Sequence, residues 1–369
     1  MTHSERFHRL FTCQPIDRVP LYFFGAWPET KRRWQQEGFP GDPCLDGDRG
    51  PQLPGMDPDW EDGLWNAHGL ARLGALGDVE PAVLSERDGT RVVRNHLGKE
   101  ELVRTDGSSI AHTLKHPLAP TRDAWAHFKR FLDPSLGQRH PADLPARAAA
   151  RNAQDIVTGF MGGSFYGWLR DFMGVTELSY LMYDDPGLLA EMVETLADHF
   201  MAVMRPVLPH LRADFVYFFE DCCGATGPLF SPAVYRDILD VHYRRLIRFY
   251  KDNGVPLALI DSDGRVEPLV DCWLASGFDI VFPLEVGKWG AHPTAFRARW
   301  GDGLRMLGGV DKRLLSGTEE ALRAHLCSLR PEVQRGGYLP IPDHRIPPEV
   351  SYAQMLRYIR VFHEVFNGG

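Results

Sequence analysis

The stretch Leu257–Val270, LALIDSDGRVEPLV, decides the fold. A short apolar run breaks into acidic residues at a glycine, and a helix is expected from Arg265 onward. The same ending recurs along the second half of the chain. DFVYFF (214–219) runs into Glu220-Asp221, DIVFPL (279–284) into Glu285, RMLGGV (305–310) into Asp311-Lys312, and YLPIP (338–342) into Asp343-His344. Strands alternating with amphipathic helices over short links predict a parallel sheet with right-handed crossovers. In an α/β fold of the TIM (β/α)8 type, every strand exit lands on one rim, where such barrels keep their chemistry. The expectation is a barrel enzyme with an acidic, metal-competent mouth.

Outward from that core the rhythm holds. DIVTGFMGG (155–163) reads as a strand ending in glycines. Asp185-Pro186 opens a helix with Leu189, Met192, Val193, Leu196 and Phe200 at 3–4 spacing, and Ser231-Pro232 opens another with Tyr235, Ile238, Leu239, His242, Leu246 and Phe249 on one face. After Pro347-Pro348 a last helix turns Tyr352, Met355, Leu356, Ile359 and Phe362 inward. Toward the N-terminus, a helix over 3–12, a strand Val19–Phe24 and a helix from Pro28 through Trp34 are expected. Residues 40–75, rich in Gly, Pro, Asp and Trp, read as a long loop or lid. Asp88-Gly89 between alternating flanks predicts a hairpin inside a small antiparallel sheet over 80–115, and 121–150 reads as polar helix. The chain is taken as one domain, 1–369, with an insertion over about 40–120 and a regular βα core over 150–369. A doubly wound sheet is the rival, disfavoured because no GxGxxG or Walker motif marks a switch point.

Composition narrows the class. The 369 residues are 44% apolar with a net charge of −8, and the basic residues form no stripe, so nucleic acid and anionic membranes are poor partners. No window approaches the roughly 18 apolar residues of a membrane span, and the polar start MTHSERFHRLFTCQPIDR reads as cytoplasmic. Six cysteines show no CxxC pair. Adjacent Cys222-Cys223 stands out because it follows Glu220-Asp221 at a strand exit.

The pieces DRVPLYFFGAWPET (17–30), GGSFYGWLRDFMG (162–174), FFEDCCGATGPLFSPAVYRDILDVHYRRLI (218–247), ALIDSDGRVEPLV (258–270), LGGVDKRLL (307–315) and GGYLPIPDHRIPPEVSYAQML (336–356) together resemble the uroporphyrinogen decarboxylase superfamily. That superfamily also holds the methylcobamide:thiol methyltransferases. The resemblance implies a TIM barrel and, by analogy, a homodimer. Tyr166, Asp221 and His344 stand at positions like the family's Tyr, Ser and His and are taken as catalytic. GAWPETKRR (25–33) lacks the arginine-bearing loop that grips tetrapyrrole carboxylates, so true uroporphyrinogen decarboxylation is not expected. The thiol methyltransferases hold zinc through His-x-Cys-Gly and a later Cys. Here Asp261-Ser262-Asp263-Gly264 and Asp343-His344 stand in those places, replacing thiolates by oxygen ligands and one imidazole, a set for a harder ion or labile zinc.

Asp261, Asp263 and His344 are therefore the candidate metal ligands. For the two aspartates the alternatives are one carboxyl held protonated beside the other, or an Asx turn and helix cap. His344 is also a candidate acid–base group. Tyr166 is set to donate to a developing anion, or to be an aromatic core residue. Trp27 and Glu29 are expected to wall the substrate, and Glu220, Glu285, Asp311, Lys312 and Arg345 to contact it. Against these stand loop capping by Glu220 and an ion-paired helix start at Asp311.

The primary reading is a uroporphyrinogen decarboxylase-like enzyme on a small organic substrate, running metal-assisted, corrinoid-linked methyl transfer. The alternatives are a decarboxylase, with Arg345 or Lys312 as the cation, and a non-catalytic cobamide-binding barrel. The DxHxxG signature of a corrinoid carrier is absent from the sequence, so a corrinoid would arrive on a partner protein. No nucleotide cofactor is expected.

Overall fold

A computed structural model describes residues 1–40, 53–61, 63–108, 110–137, 139–287 and 289–368. Part of the expected 40–75 loop, residues 41–52, and Cys44 with it, lies outside the described residues.

Four strands, β1 (Ala82–Arg87), β2 (Thr90–Arg94), β3 (Glu100–Arg104) and β4 (His112–Lys115), form an antiparallel sheet in sequence order. The turn at Asp88-Gly89 has positive φ at both residues, as a tight hairpin requires. The expected small sheet is therefore present. The core is a second sheet of parallel strands: β5 (Gly159–Gly163), β6 (Phe215–Phe219), β9 (Leu257–Asp261), β10 (Ile280–Leu284), β11 (Arg305–Val310) and β12 (Tyr338–Pro342), each beside its sequence neighbour. Between β6 and β9 lies a two-stranded ribbon, β7 (Cys223–Gly224) and β8 (Gly227–Pro228). Helices including Pro186–Met204, Asp240–Asp252, Glu267–Ser276, Pro293–Trp300, Glu319–Arg335 and Tyr352–Phe366 alternate with the core strands. The architecture is that of a TIM-type barrel.

The two remaining staves are irregular. Val19–Phe24 is not a ladder strand, because Pro20 lacks a donor and its neighbours' donors go to side chains. Val19 N–H donates to Asn367 Oδ1 (2.7 Å) and Leu21 N–H to Asp57 Oδ2 (2.8 Å). Just beyond its end, Ala26 makes an isolated parallel bridge with Ile346, past the end of β12. On the other side, Asp57 N–H donates to the Leu21 carbonyl (2.9 Å) and His68 Nε2 lies 2.6 Å from the Gly159 carbonyl. Asp57 and His68 thus tie their neighbourhoods to the first stave and to β5. Trp60, 2% exposed, sits inside the barrel with its ring 5.4 Å from Phe215 and 5.9 Å from Phe282.

Helix faces follow the expected spacing with two corrections. A π turn at Tyr235–Leu239 adds a residue to the helical register. The buried face after it runs through Tyr243, Leu246, Ile247 and Tyr250 instead of His242 and Phe249. In the last helix Leu356 is 36% exposed, and Tyr358, Val361 and Val365 take the inner face with Met355, Ile359 and Phe362. No helix among the described residues is long and apolar enough to cross a membrane.

Candidate functional site

Parallel strands that all run the same way bring their exits to one rim. There Asp263, Glu285 and His344 converge: one ligand atom from each lies within 4.8 Å of the others. They come from the exits of β9, β10 and β12. His344 Nε2 is 3.3 Å from Asp263 Oδ2, and Glu285 Oε2 accepts the Gly264 N–H at 2.7 Å. Gly264 has φ +84, and a Cβ there would meet the Gly224 carbonyl oxygen at 2.8 Å. The loop carrying Asp263 therefore needs glycine to fold against the β7–β8 ribbon. Burial, then the charge of Asp263, raises the Glu285 pKa, while His344 and Lys312 favour its ionised form. Nδ1 of His344 is buried without a partner among the described residues. The Trp27 ring stacks 6.2 Å from the imidazole, and the Arg345 guanidinium lies 5.2 Å over Trp27.

Asp261 stands apart from the trio. It is the last residue of β9, 1% exposed, level with Phe219 and Phe282 on the neighbouring strands. The Tyr217 hydroxyl donates to its Oδ2. Its carbonyl accepts the N–H groups of Glu220 (2.9 Å) and Asp221 (3.1 Å). Burial, with the charge of Asp263 adding to it, pushes the Asp261 carboxyl well above the usual range. The structure thus groups Glu285, not Asp261, with Asp263 and His344.

Three other expected substrate contacts are occupied in the fold. Glu220, 2% exposed, accepts N–H groups from Phe165 (2.8 Å) and Gly167 (3.0 Å) at the start of the helix Tyr166–Met173, and a hydroxyl from Tyr243. A carboxylate at a helix N-terminus is favoured by the exposed donors there, so Glu220 anchors that helix. Asp311 caps the turn Lys312–Ser316 through the Arg313 N–H (3.0 Å) and pairs with the Arg313 guanidinium (2.7 Å). Glu29 lies in the first turn of Pro28–Gln36 and pairs with Arg32 at 3.9 Å. Lys312 reaches the site by its charge toward Glu285, and its backbone N–H donates to Asp343 (3.1 Å). Asp343, beside His344, also takes the Val286 and Gly287 N–H groups at 3.0 and 3.1 Å, tying three strand exits together.

On the β5–β6 side the rim differs. Tyr166 is 2% exposed, and its hydroxyl has no partner among the described residues. Asp221, with φ +39, accepts from Arg170 Nη1 through both its carbonyl (2.7 Å) and its Oδ2 (2.6 Å). Trp65, 51% exposed, stands edge-on to Tyr217 at 6.0 Å and Phe219 at 5.4 Å. Sequence reasoning missed Tyr217, Arg170 and Trp65. The i+2 spacing of Phe215, Tyr217 and Phe219 would have put Tyr217 inside the barrel.

The sequence profile of uroporphyrinogen decarboxylase (URO-D) matches residues 146–365, more than half of the chain. The chain belongs to this family. Among solved structures, a methyltransferase from Methanosarcina mazei superposes with a TM-score of 0.55 at 15% identity, covering 99% of each chain. That likeness is one of fold. A B12-independent methionine synthase from Shewanella sp. W3-18-1 is far more distant, with a TM-score of 0.35 at 11% identity over 78% of this chain and 74% of its own. No curated protein matches the sequence. Family and fold both agree with the barrel expected from the strand exits.

Proposed function

We propose that this URO-D family member is a metal-assisted enzyme acting on a small organic molecule, in corrinoid-linked methyl transfer. Asp263, Glu285 and His344 would hold one divalent cation. The single observation carrying this reading is their convergence from three strand exits. Ligand atoms on one ion at about 2.1 Å lie roughly 3–4 Å apart, so a small closing of side chains suffices. Two oxygens and one nitrogen suit zinc in a labile site or a harder ion. When bound, such a cation supplies Lewis acidity that lowers the pKa of a thiol, hydroxyl or water.

The protein groups set the rest. Trp27 shields one side of the imidazole from water. Asp343 fixes the loops that carry Glu285, Lys312 and His344. The Tyr166 hydroxyl, without a partner among the described residues, would donate to substrate. The fold shared with a methyltransferase supports methyl transfer, and the corrinoid would come on a partner protein, with this chain acting as a cytoplasmic homodimer.

Metal analysis of the purified chain, repeated for Asp263→Ala and His344→Ala, tests the site. Loss of metal and of methyl transfer together supports it. Indifference of both to the substitutions removes it. Carbon dioxide release from small acids without metal or cobalamin would instead assign a decarboxylase.

A further inference from the structure

The four-stranded sheet β1–β4 belongs to no core. From residue 76 through 117 not one described residue is buried. Antiparallel sheets ordinarily pack one face on a core and wet only the other, and short strands gain little stability without such packing. Val83 and Val93 pair side by side across β1 and β2, and Leu84, Ile110 and Leu114 are exposed, Ile110 by 77%. Leu84 and Leu114 are the extra residues where the register slips in the two edge strands, β1 and β4. Bulges of this kind blunt an edge against pairing with another strand. What the sheet offers is therefore an apolar face, not an open edge.

The apolar surface continues beyond β4. His116 Nδ1 lies 3.2 Å from the Asp171 carbonyl, Leu118 N–H donates to the Phe172 carbonyl at 3.0 Å, and a Cβ on Gly174 would meet His116 Nε2 at 2.8 Å. Lys99 Nζ adds an ion pair with Asp171 at 2.6 Å. Those contacts set the sheet against the start of the helix Val175–Asp184. On the outside of that helix Val175, Tyr180 and Tyr183 are exposed, Tyr183 by 72%. Tyr180 and Tyr183 are three apart, so the two side chains are neighbours on one face. Elsewhere Arg32 Nη1 donates to the Asp106 carbonyl (2.9 Å) and holds the turn between β3 and β4. The patch is thus fixed in shape, and ordering it on binding costs little.

We propose that this sheet and helix form the interface between two copies of the chain, related by a two-fold axis. The inference rests on the homodimer reading above and supplies its contact surface. Area supports it. Weighted by their exposure, these side chains offer on the order of 700 Å² of apolar surface, close to the ~800 Å² that each partner gives a standard interface. Charge supports it too. Glu86 pairs with Arg91 (2.8 Å), Glu101 with Lys99 (2.9 Å), Asp106 with Arg104 (3.4 Å) and Glu100 with Lys115 (3.8 Å). A patch whose charges cancel locally does not repel its own copy, and it offers little to attract nucleic acid or an anionic membrane. Tyrosine is also among the residues that interfaces favour.

Sedimentation velocity of the full chain over roughly 1–50 μM tests this. A species of twice 41.7 kDa should dominate at the upper end. In a two-fold interface a substitution enters from both sides, so Leu114→Lys and Tyr183→Glu should each weaken dimerisation more than about tenfold. Both positions are exposed, and an unchanged far-UV circular dichroism spectrum checks that the variants fold. Val241→Lys, at an exposed apolar residue on the helix Asp240–Asp252, should leave the dimer intact. A chain that stays monomeric throughout overturns both this interface and the homodimer reading. A dimer indifferent to Leu114→Lys and Tyr183→Glu, or weakened equally by Val241→Lys, overturns the interface and leaves the homodimer standing.

Discussion

His344 Nε2 lies 3.3 Å from Asp263 Oδ2 although 81 residues separate them in the chain. Neither residue is held there by the other alone. Asp263 is placed by the Gly264 turn and His344 by the fixed Asp343 beside it, which takes three backbone N–H groups from two other loops. Asp263→Ala, Glu285→Gln and His344→Ala should each lower zinc affinity by roughly two orders of magnitude, at least as much as the loss of an outer partner. Competition against a chromophoric chelator reads this directly.

Asp261 should behave differently despite its acidic neighbours. Its carboxyl is inside the barrel and donor-matched by Tyr217. Asp261→Asn should leave zinc affinity within about threefold, whereas Tyr217→Phe strands a buried carboxyl oxygen and should cost about 1–3 kcal/mol of stability. Denaturant unfolding and metal titration on the two variants check both halves.

The contrast shows what the sequence could and could not reveal. Strand exits were legible because each apolar run abuts its polar residues directly, and that gave the barrel, Asp263 and His344. Asp261 and Asp263 read as partners since residues two apart share a strand face. The ladder ends at Asp261, however, and the Gly264 turn carries Asp263 over to Glu285. The occupation of Glu220 was legible only as the capping alternative, because which helix folds its N-terminus onto that carboxylate is a tertiary matter. The first stave, expected as a strand over Val19–Phe24, forms no ladder for a like reason: its donors are spent on Asn367 and Asp57, far off in sequence.

Glu220 gives the third prediction. Burial raises its pKa, and Tyr243 with the backbone donors of Phe165 and Gly167 works against that rise. Glu220→Ala leaves those three donors unmatched in the interior and should destabilise by roughly 3 kcal/mol. Asp221→Ala, at a rim position 30% exposed, should cost clearly less. Chemical denaturation of the two variants side by side tests the ranking.

Gly264 offers a way to disturb the trio without touching a ligand. A Cβ there would lie 2.8 Å from the Gly224 carbonyl oxygen and 3.0 Å from that of Cys223, both backbone atoms. Gly264→Ala must shift the loop, and with it Asp263 and the N–H that orients Glu285. Zinc affinity should fall about tenfold and stability by roughly 1–3 kcal/mol. Unchanged metal affinity in this variant would show that the loop's placement does not govern the site.

His199 is one group through which the fold should respond to acid. It is 2% exposed on the helix Pro186–Met204, its Nε2 lies 2.7 Å from the Leu73 carbonyl, and its Nδ1 has no partner among the described residues. Desolvation lowers its pKa from 6.5 to about 4, with the Leu73 hydrogen bond opposing the shift. The folded state therefore refuses a proton that the unfolded chain accepts. Stability tied to this group is whole above pH 6.5, is lost progressively as pH falls toward 4, and levels off below that. At about 1.4 kcal/mol per unit the full loss is on the order of 3 kcal/mol. His199→Gln keeps a donor for Leu73 and removes the titration. Melting temperatures across that interval should fall steeply for the parent chain and less for the variant. Parallel curves would assign the acid response to other groups.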